Sequence, residues 1–225
     1  MWAMPVLFAI TLHEVAHGWV AMMLGDRTAQ MLGRLTLNPF KHLDPVGTVL
    51  VPLVLLILPG GFMFGWAKPV PVTWQNLHQP KRDMALVAVA GPLANLIMAI
   101  FWILMIKIGV LLGPELGYTR LFFIYTGVAG IFINTILLVL NLVPVPPLDG
   151  GRVLTGLLPG PLAYRFSRIE PYGFIILVAL LATGVLGKVI GPPIFMLMGG
   201  LADLAGMSVR DLNLILYALG LGPNG

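Results

Sequence analysis

The sequence predicts an all-α polytopic membrane protein with about five transmembrane helices, a re-entrant or interfacial segment, and a short β-like hairpin. Three observations lead there. Of the 225 residues, 58% are hydrophobic and only 10% are Asp, Glu, Lys or Arg, whereas a soluble domain carries about 25% charge. The apolar residues come in runs close to the roughly 20 that a helix needs to cross hydrocarbon. Clusters of Pro, Gly and polar residues separate the runs. The net charge of +4 comes from scattered residues, so no basic tract suggests nucleic acid as a partner. The absence of cysteine excludes disulfides, thiolate metal sites and cysteine nucleophiles.

The first span is read from about Trp2 to Leu24, stopped by Gly25 and Asp26. It lacks a basic leader and carries two His and a Glu, so it is read as a retained helix. Residues 27–46 are mixed and polar; GRLTL alternates like a short strand, with Asn38-Pro39 as its turn. Segment 47–65 is apolar but broken by Pro52, Pro59, Gly60 and Gly61, and is read as dipping into the membrane and returning. Prolines crowd residues 69–80 and argue against a helix there. The second and third spans are placed at about 84–107 and 121–143, an interfacial segment at 153–171, a fourth span at about 172–190 and a weaker fifth at about 192–206. Gly187 with Gly191, and Gly199 with Gly200, are read as easing close helix packing. A short tail covers 207–225.

Charge decides the orientation, because short loops rich in Lys and Arg stay cytoplasmic. With segment 47–65 returning, Arg27, Arg34, Lys41, Lys68, Lys81, Arg82, Arg152, Arg165, Arg168 and Arg210 share one side, and Lys107, Arg120 and Lys188 the other. If the segment crosses instead, the bias disappears. The preferred arrangement also brings the inner end of the first span, Gly91, Pro92 and Asn95, and Asp149 to a similar depth near the cytoplasmic side.

That depth matters because the first span holds HEVAH at residues 13–17. His13 and His17 are four apart, so they share one helix face and can reach one metal. Ionisable groups are costly in hydrocarbon, so three of them within five residues need a common explanation. Zinc suits imidazole and carboxylate ligands and leaves a position for water. Glu14 adjoins a ligand and can take that water's proton as general base, then pass it to the leaving amine. A third protein ligand is required. His42, His78, Asp44 and Asp203 are candidates, and Asp149 is the better one. Pro144, Pro146 and Pro147 unwind the chain before Asp149, and Gly150 and Gly151 allow close backbone approach after it.

Five stretches in order carry a resemblance: HEVAH at 13–17, GRLTLNPFKHLDPVGT at 33–48, FGWAKPVPV at 64–72, AGPLAN at 90–95 and NLVPVPPLDGGRVL at 141–154. They resemble the site-2 protease family of membrane-embedded zinc metalloproteases, peptidase family M50, in its compact prokaryotic form without a PDZ domain. The resemblance implies one Zn2+ per chain held by His13, His17 and Asp149, with Glu14 as general base. It places Asn95, and Asn141 with Pro144, near the site, where the amides are candidates to contact substrate or the oxyanion. It makes residues 1–206 a membrane-embedded metalloprotease domain with a catalytic core of about 2–154. It also implies a multi-pass protein of a prokaryotic cell membrane that hydrolyses peptide bonds in or near transmembrane helices of other membrane proteins. Two other functions compete. A transporter also places polar clusters in a membrane, and a non-catalytic scaffold would use the same cluster structurally.

Overall fold

The computed structural model describes residues 1–50, 53, 57 and 67–221. Nine α-helices are described: α1 Ala3–Met23, α2 Thr28–Met31, α3 Pro80–Leu111, α4 Gly117–Asn141, α5 Asp149–Leu157, α6 Gly160–Ser167, α7 Gly173–Ala182, α8 Val185–Ala205 and α9 Val209–Leu216. Among the described residues, four helical segments are long and apolar enough to cross a membrane: α1, α3, the stretch Pro114–Asn141 that contains α4, and α8. Large apolar side chains on α3 and α8, such as Ile97, Leu111, Phe195 and Met196, point outward. An apolar exterior suits lipid rather than water.

Local chemistry sets the helix limits. α1 ends where Gly25 takes a φ of +110°. A Cβ at Gly25 would also stand 2.9 Å from Asn76 O, so the turn requires glycine. Asp26 follows and gathers four donors: the Thr28 N–H and hydroxyl, the Thr73 N–H and the Asn76 amide. Burial alone would raise its carboxyl; these donors outweigh burial and hold it below the usual carboxylate range. α3 starts with Pro80, and Asp83 reaches back to accept the Gln79 N–H at 2.8 Å, closing the helix start.

α3 and α4 pack closely and form the centre of the bundle. Gly130 on α4 makes room for Trp102 on α3; a Cβ there would lie 2.2 Å from the indole ring. Around this contact lies the main apolar core, with Ile103 and Ile106 of α3, Val128 and Ile131 of α4, Leu201 and Ala202 of α8, and Leu212 of α9. α1 lies against α3 and α4, and α5 against α3. The close-packing role expected of Gly187, Gly191, Gly199 and Gly200 falls elsewhere, because nothing lies within 4 Å of a Cβ at any of them.

Two expectations about the fold are corrected. The β-like hairpin is absent: no strand occurs among the described residues. The alternating GRLTL stretch has no ladder partner. Thr36 O accepts from His42 Nε2 at 2.9 Å, and the Arg34 N–H returns to Ala29 O. The segment 67–73, on its far side, spends its N–H groups on His42 O, Glu14 and Asp26. Among the described residues, four helices rather than five are long and apolar enough to span. The run read as 172–190 breaks at Thr183 and Gly184, where Gly184 takes a φ of +70° and the Thr183 hydroxyl bonds back to Ala179 O. α7 therefore has ten residues, about 15 Å at 1.5 Å per residue, half the hydrocarbon thickness. The residues after the break join the expected fifth span in one helix, α8, with Pro192 and Pro193 inside it.

Most of segment 47–65 lies outside the described residues. Its flanks are described and stand together. The Lys68 N–H donates to His42 O at 2.9 Å, and the Arg34 guanidinium reaches Lys68 O and Pro69 O. The His78 N–H donates to Leu24 O at 2.9 Å, so the end of α1 and the approach to α3 lie at one end of the molecule. Near the chain's start, the Trp2 indole N–H donates to Leu219 O at 3.1 Å, which brings the N-terminus beside the tail.

Candidate metal centre

The site forms where α1, α3 and the start of α5 meet. The four-residue spacing on α1 places His13 and His17 one turn apart, with Nε2 atoms 3.1 Å from each other. Asp149 Oδ2 lies 3.2 Å from His13 Nε2 and 3.3 Å from His17 Nε2. All three side chains are buried. The turn after α4 delivers the aspartate. Gly150 and Gly151 press against it: a Cβ at Gly150 would stand 2.3 Å from Leu142 O, and one at Gly151 2.5 Å from Pro146 N. Exposed Pro144 lies in that turn.

The other ring nitrogens decide the protonation. His13 Nδ1 stands 2.7 Å from Asn95 Oδ1, and His17 Nδ1 2.7 Å from Val87 O. Both partners are acceptors, so each Nδ1 carries the hydrogen and each neutral imidazole presents a bare lone pair at Nε2. Asp149 Oδ2 is buried without a hydrogen-bond partner. With both imidazoles neutral, three potential ligand atoms therefore converge on one point, an arrangement suited to a cation. The spacing fits a metal. Tetrahedral ligands at the 2.0–2.1 Å typical of zinc stand about 3.3 Å from each other, close to the 3.1–3.3 Å found here.

Gly91 on α3 makes the approach of the two rings possible. A Cβ there would lie 2.4 Å from His17 Nε2 and 2.5 Å from His13 Cε1. Pro92 follows inside the helix, where its missing N–H leaves a carbonyl of the preceding turn without its helical donor.

A cleft of about 400 Å³ opens beside these three side chains. Glu14, Pro69, Val70, Trp74, Asn141, Arg152 and Phe174 contribute to its walls. Glu14 Oε2 accepts the Val70 N–H at 2.7 Å, which pins one carboxylate oxygen. Arg152 lies over the Trp74 ring, 5.2 Å from its centroid, and reaches toward Glu170 at 3.7 Å.

The structure thus brings together His13, Glu14, His17, Asn141 and Asp149. It sets the other ligand candidates apart. His42 is buried against Thr36 O, Asp44 accepts the N–H groups of Val46 and Gly47, and His78 and Asp203 are exposed. Asn95 is fully buried and faces His13 rather than the cleft. Its Nδ2 donates to Ala9 O and Asn134 Oδ1. Asn141 lines the cleft and donates to Leu137 O, which leaves its second amide hydrogen. Val70, Val87 and Asn134 were missed in the sequence. The first two act through main-chain atoms that leave no side-chain signature. Asn134 offered a signal, a lone amide in an apolar span.

Comparison with known proteins points the same way. A family model described as Peptidase family M50 matches residues 118–183. Two relatives named "Putative zinc metalloprotease" are YwhC of Bacillus subtilis and Rip2 of Mycolicibacterium smegmatis. YwhC is 38% identical over 193 residues, covering 83% of this chain and 82% of its own length. Rip2 is 32% identical over 189 residues, covering 81% of this chain and 66% of its own length. Rip2 of Mycobacterium tuberculosis strain H37Rv is 28% identical over 91% of this chain and 73% of its own length. No solved structure matches the chain.

Gly91→Ala separates helix propensity from the site. Alanine favours a helix by about 1 kcal/mol over glycine, yet its methyl would stand where the two imidazoles lie. The expected outcome is a folded protein with zinc affinity at least about tenfold weaker, the range of lost ligand support, read by chelator competition. Wild-type affinity in Gly91→Ala would contradict the packing described.

Proposed function

The chain belongs to peptidase family M50, the intramembrane zinc metalloproteases, and on that premise we propose how its residues divide the work. His13, His17 and Asp149 hold one Zn2+, Glu14 is the general base, and the substrates are transmembrane helices of other membrane proteins. The observation that carries this reading is the convergence of two bare imidazole nitrogens and an unpartnered carboxylate oxygen in a buried space that opens onto a cleft.

A bound zinc supplies Lewis acidity, polarising a scissile carbonyl and acidifying water. The protein's own groups do the rest. Glu14 has one oxygen pinned by the Val70 N–H, and its other oxygen takes the proton from the attacking water and delivers it to the leaving amine. Asn141 offers its second amide hydrogen to the carbonyl oxygen as negative charge develops. The walls from Pro69 to Trp74 and Phe174 receive a peptide freed from its helix and limit water in the cleft.

Glu14→Gln keeps the shape but removes the base. The expected result is turnover of a transmembrane-helix reporter reduced about 10²–10⁴-fold with zinc content unchanged. Undiminished turnover in Glu14→Gln would favour a scaffold or transport role and sink the assignment of Glu14.

The metal centre is assigned to the cytoplasmic side of a multi-pass protein, and segment 47–65 is assigned as returning to the side it left. Two contacts support this: Lys68 N–H to His42 O and His78 N–H to Leu24 O put both flanks at one end. With four spans, that end carries Arg27, Arg34, Lys41, Lys68, Lys81, Arg82, Arg152, Arg165, Arg168 and Lys188. The opposite end keeps Lys107, Arg120 and Arg210. The positive excess belongs in the cytoplasm. The chain has no cysteine, so single thiols report position cleanly. In intact cells a membrane-impermeant maleimide should label Tyr118→Cys and spare Tyr164→Cys. The reverse pattern would invert the topology.

A further inference from the structure

Asn134 lies in α4, fully buried and outside every motif singled out in the sequence. Its Nδ2 donates to Gly130 O at 2.8 Å. A main-chain carbonyl only accepts, so this contact fixes which end of the Asn134 carboxamide is oxygen. Asn134 Oδ1 then accepts from Asn95 Nδ2 at 3.0 Å. Asn95 Nδ2 also reaches Ala9 O at 3.2 Å. Both neighbours on that side of Asn95 are acceptors, so its amino group must stand there and its Oδ1 must face His13. An acceptor 2.7 Å from His13 Nδ1 places a ring hydrogen on Nδ1 and, in the neutral ring, leaves Nε2 bare.

We infer that Asn134 is a positioning residue for the metal centre: through Asn95 it holds His13 in the tautomer whose Nε2 lone pair faces His17 and Asp149. The inference rests on the reading of these three residues as the metal-holding set, and adds what orients the first of them. Without Asn134, only Ala9 O holds the Asn95 amino group. A flipped Asn95 would turn that amino group toward His13 Nδ1 and drive the ring hydrogen onto Nε2, the atom that has to be bare. His17 has no such vulnerability, because Val87 O, which receives its Nδ1–H, is main chain and cannot flip. Support of this kind behind a ligand commonly changes metal affinity 10–100-fold.

The test measures zinc affinity of the full chain in detergent, by competition with a chelator. The proteins compared are wild type, Asn134→Leu, Asn95→Leu, the double variant and Thr135→Val. Thr135 is a control for packing, since it is the next residue on α4, is buried, and has a hydroxyl without a hydrogen-bond partner. The expected result is zinc bound about 10–100-fold more weakly by Asn134→Leu, unchanged by Thr135→Val, and no more weakly by the double variant than by Asn95→Leu alone. Histidine-selective 15N spectra of the metal-free protein should show His13 moving from the Nδ1–H toward the Nε2–H form in Asn134→Leu while His17 stays. Wild-type affinity in Asn134→Leu overturns the inference. So does a double variant whose loss is the product of the single losses, or an equal loss in Thr135→Val. Wild-type protein that binds no zinc fails earlier and differently: it overturns the metal reading itself, before any variant is compared.

Discussion

Three lone pairs pointed at one buried spot set the terms for the rest of the structure. Two imidazole nitrogens and a carboxylate oxygen, all within about van der Waals reach of each other, repel unless a cation stands among them. An unpaired buried charge costs several kcal/mol, so the surrounding helices must have a reason to hold these atoms there. The fold spends several of its specific features on doing so. Gly91 opens a space for both rings, Gly150 and Gly151 let the turn after α4 press Asp149 inward, and Val87 O and Asn95 fix the ring hydrogens on the far side.

The same contacts join the chemistry to the membrane. The segment 67–74 walls the cleft, holds Glu14 through the Val70 N–H, and is itself tied to the end of α1 through Asp26 and Thr73. The base, the cleft wall and the turn at the end of α1 are thus one hydrogen-bonded unit. A peptide entering the cleft would meet that unit beside His13, His17 and Asp149.

The cluster of His13, His17 and Asp149 was legible in the sequence because its signals are local. The spacing of His13 and His17 follows the helical repeat, Glu14 adjoins His13, and ionisable groups stand out in an apolar run. Asp149 was legible from the prolines before it and the glycines after it. The fold was legible in outline and less so in detail, since apolar composition does not mark a break inside an apolar run. Leu181 through Leu186 reads as continuous, and only the positive φ of Gly184 divides α7 from α8. GRLTL alternates like a strand, but alternation does not supply a ladder partner, and the neighbouring N–H groups are taken by His42, Glu14 and Asp26. Asn95 was placed near the site by its motif, yet its orientation toward His13 depends on Ala9 and Asn134, contacts between helices far apart in sequence.

The central claim is that His13, His17 and Asp149 together hold one metal ion, and elemental analysis of the purified protein beside Asp149→Ala tests it most directly. The account predicts about one zinc per wild-type chain and a sharp loss in a variant that remains folded. Equal zinc in the two proteins would remove Asp149 from the ligand set and contradict the account. No zinc in either, after reconstitution with excess metal, would contradict the metal centre as a whole.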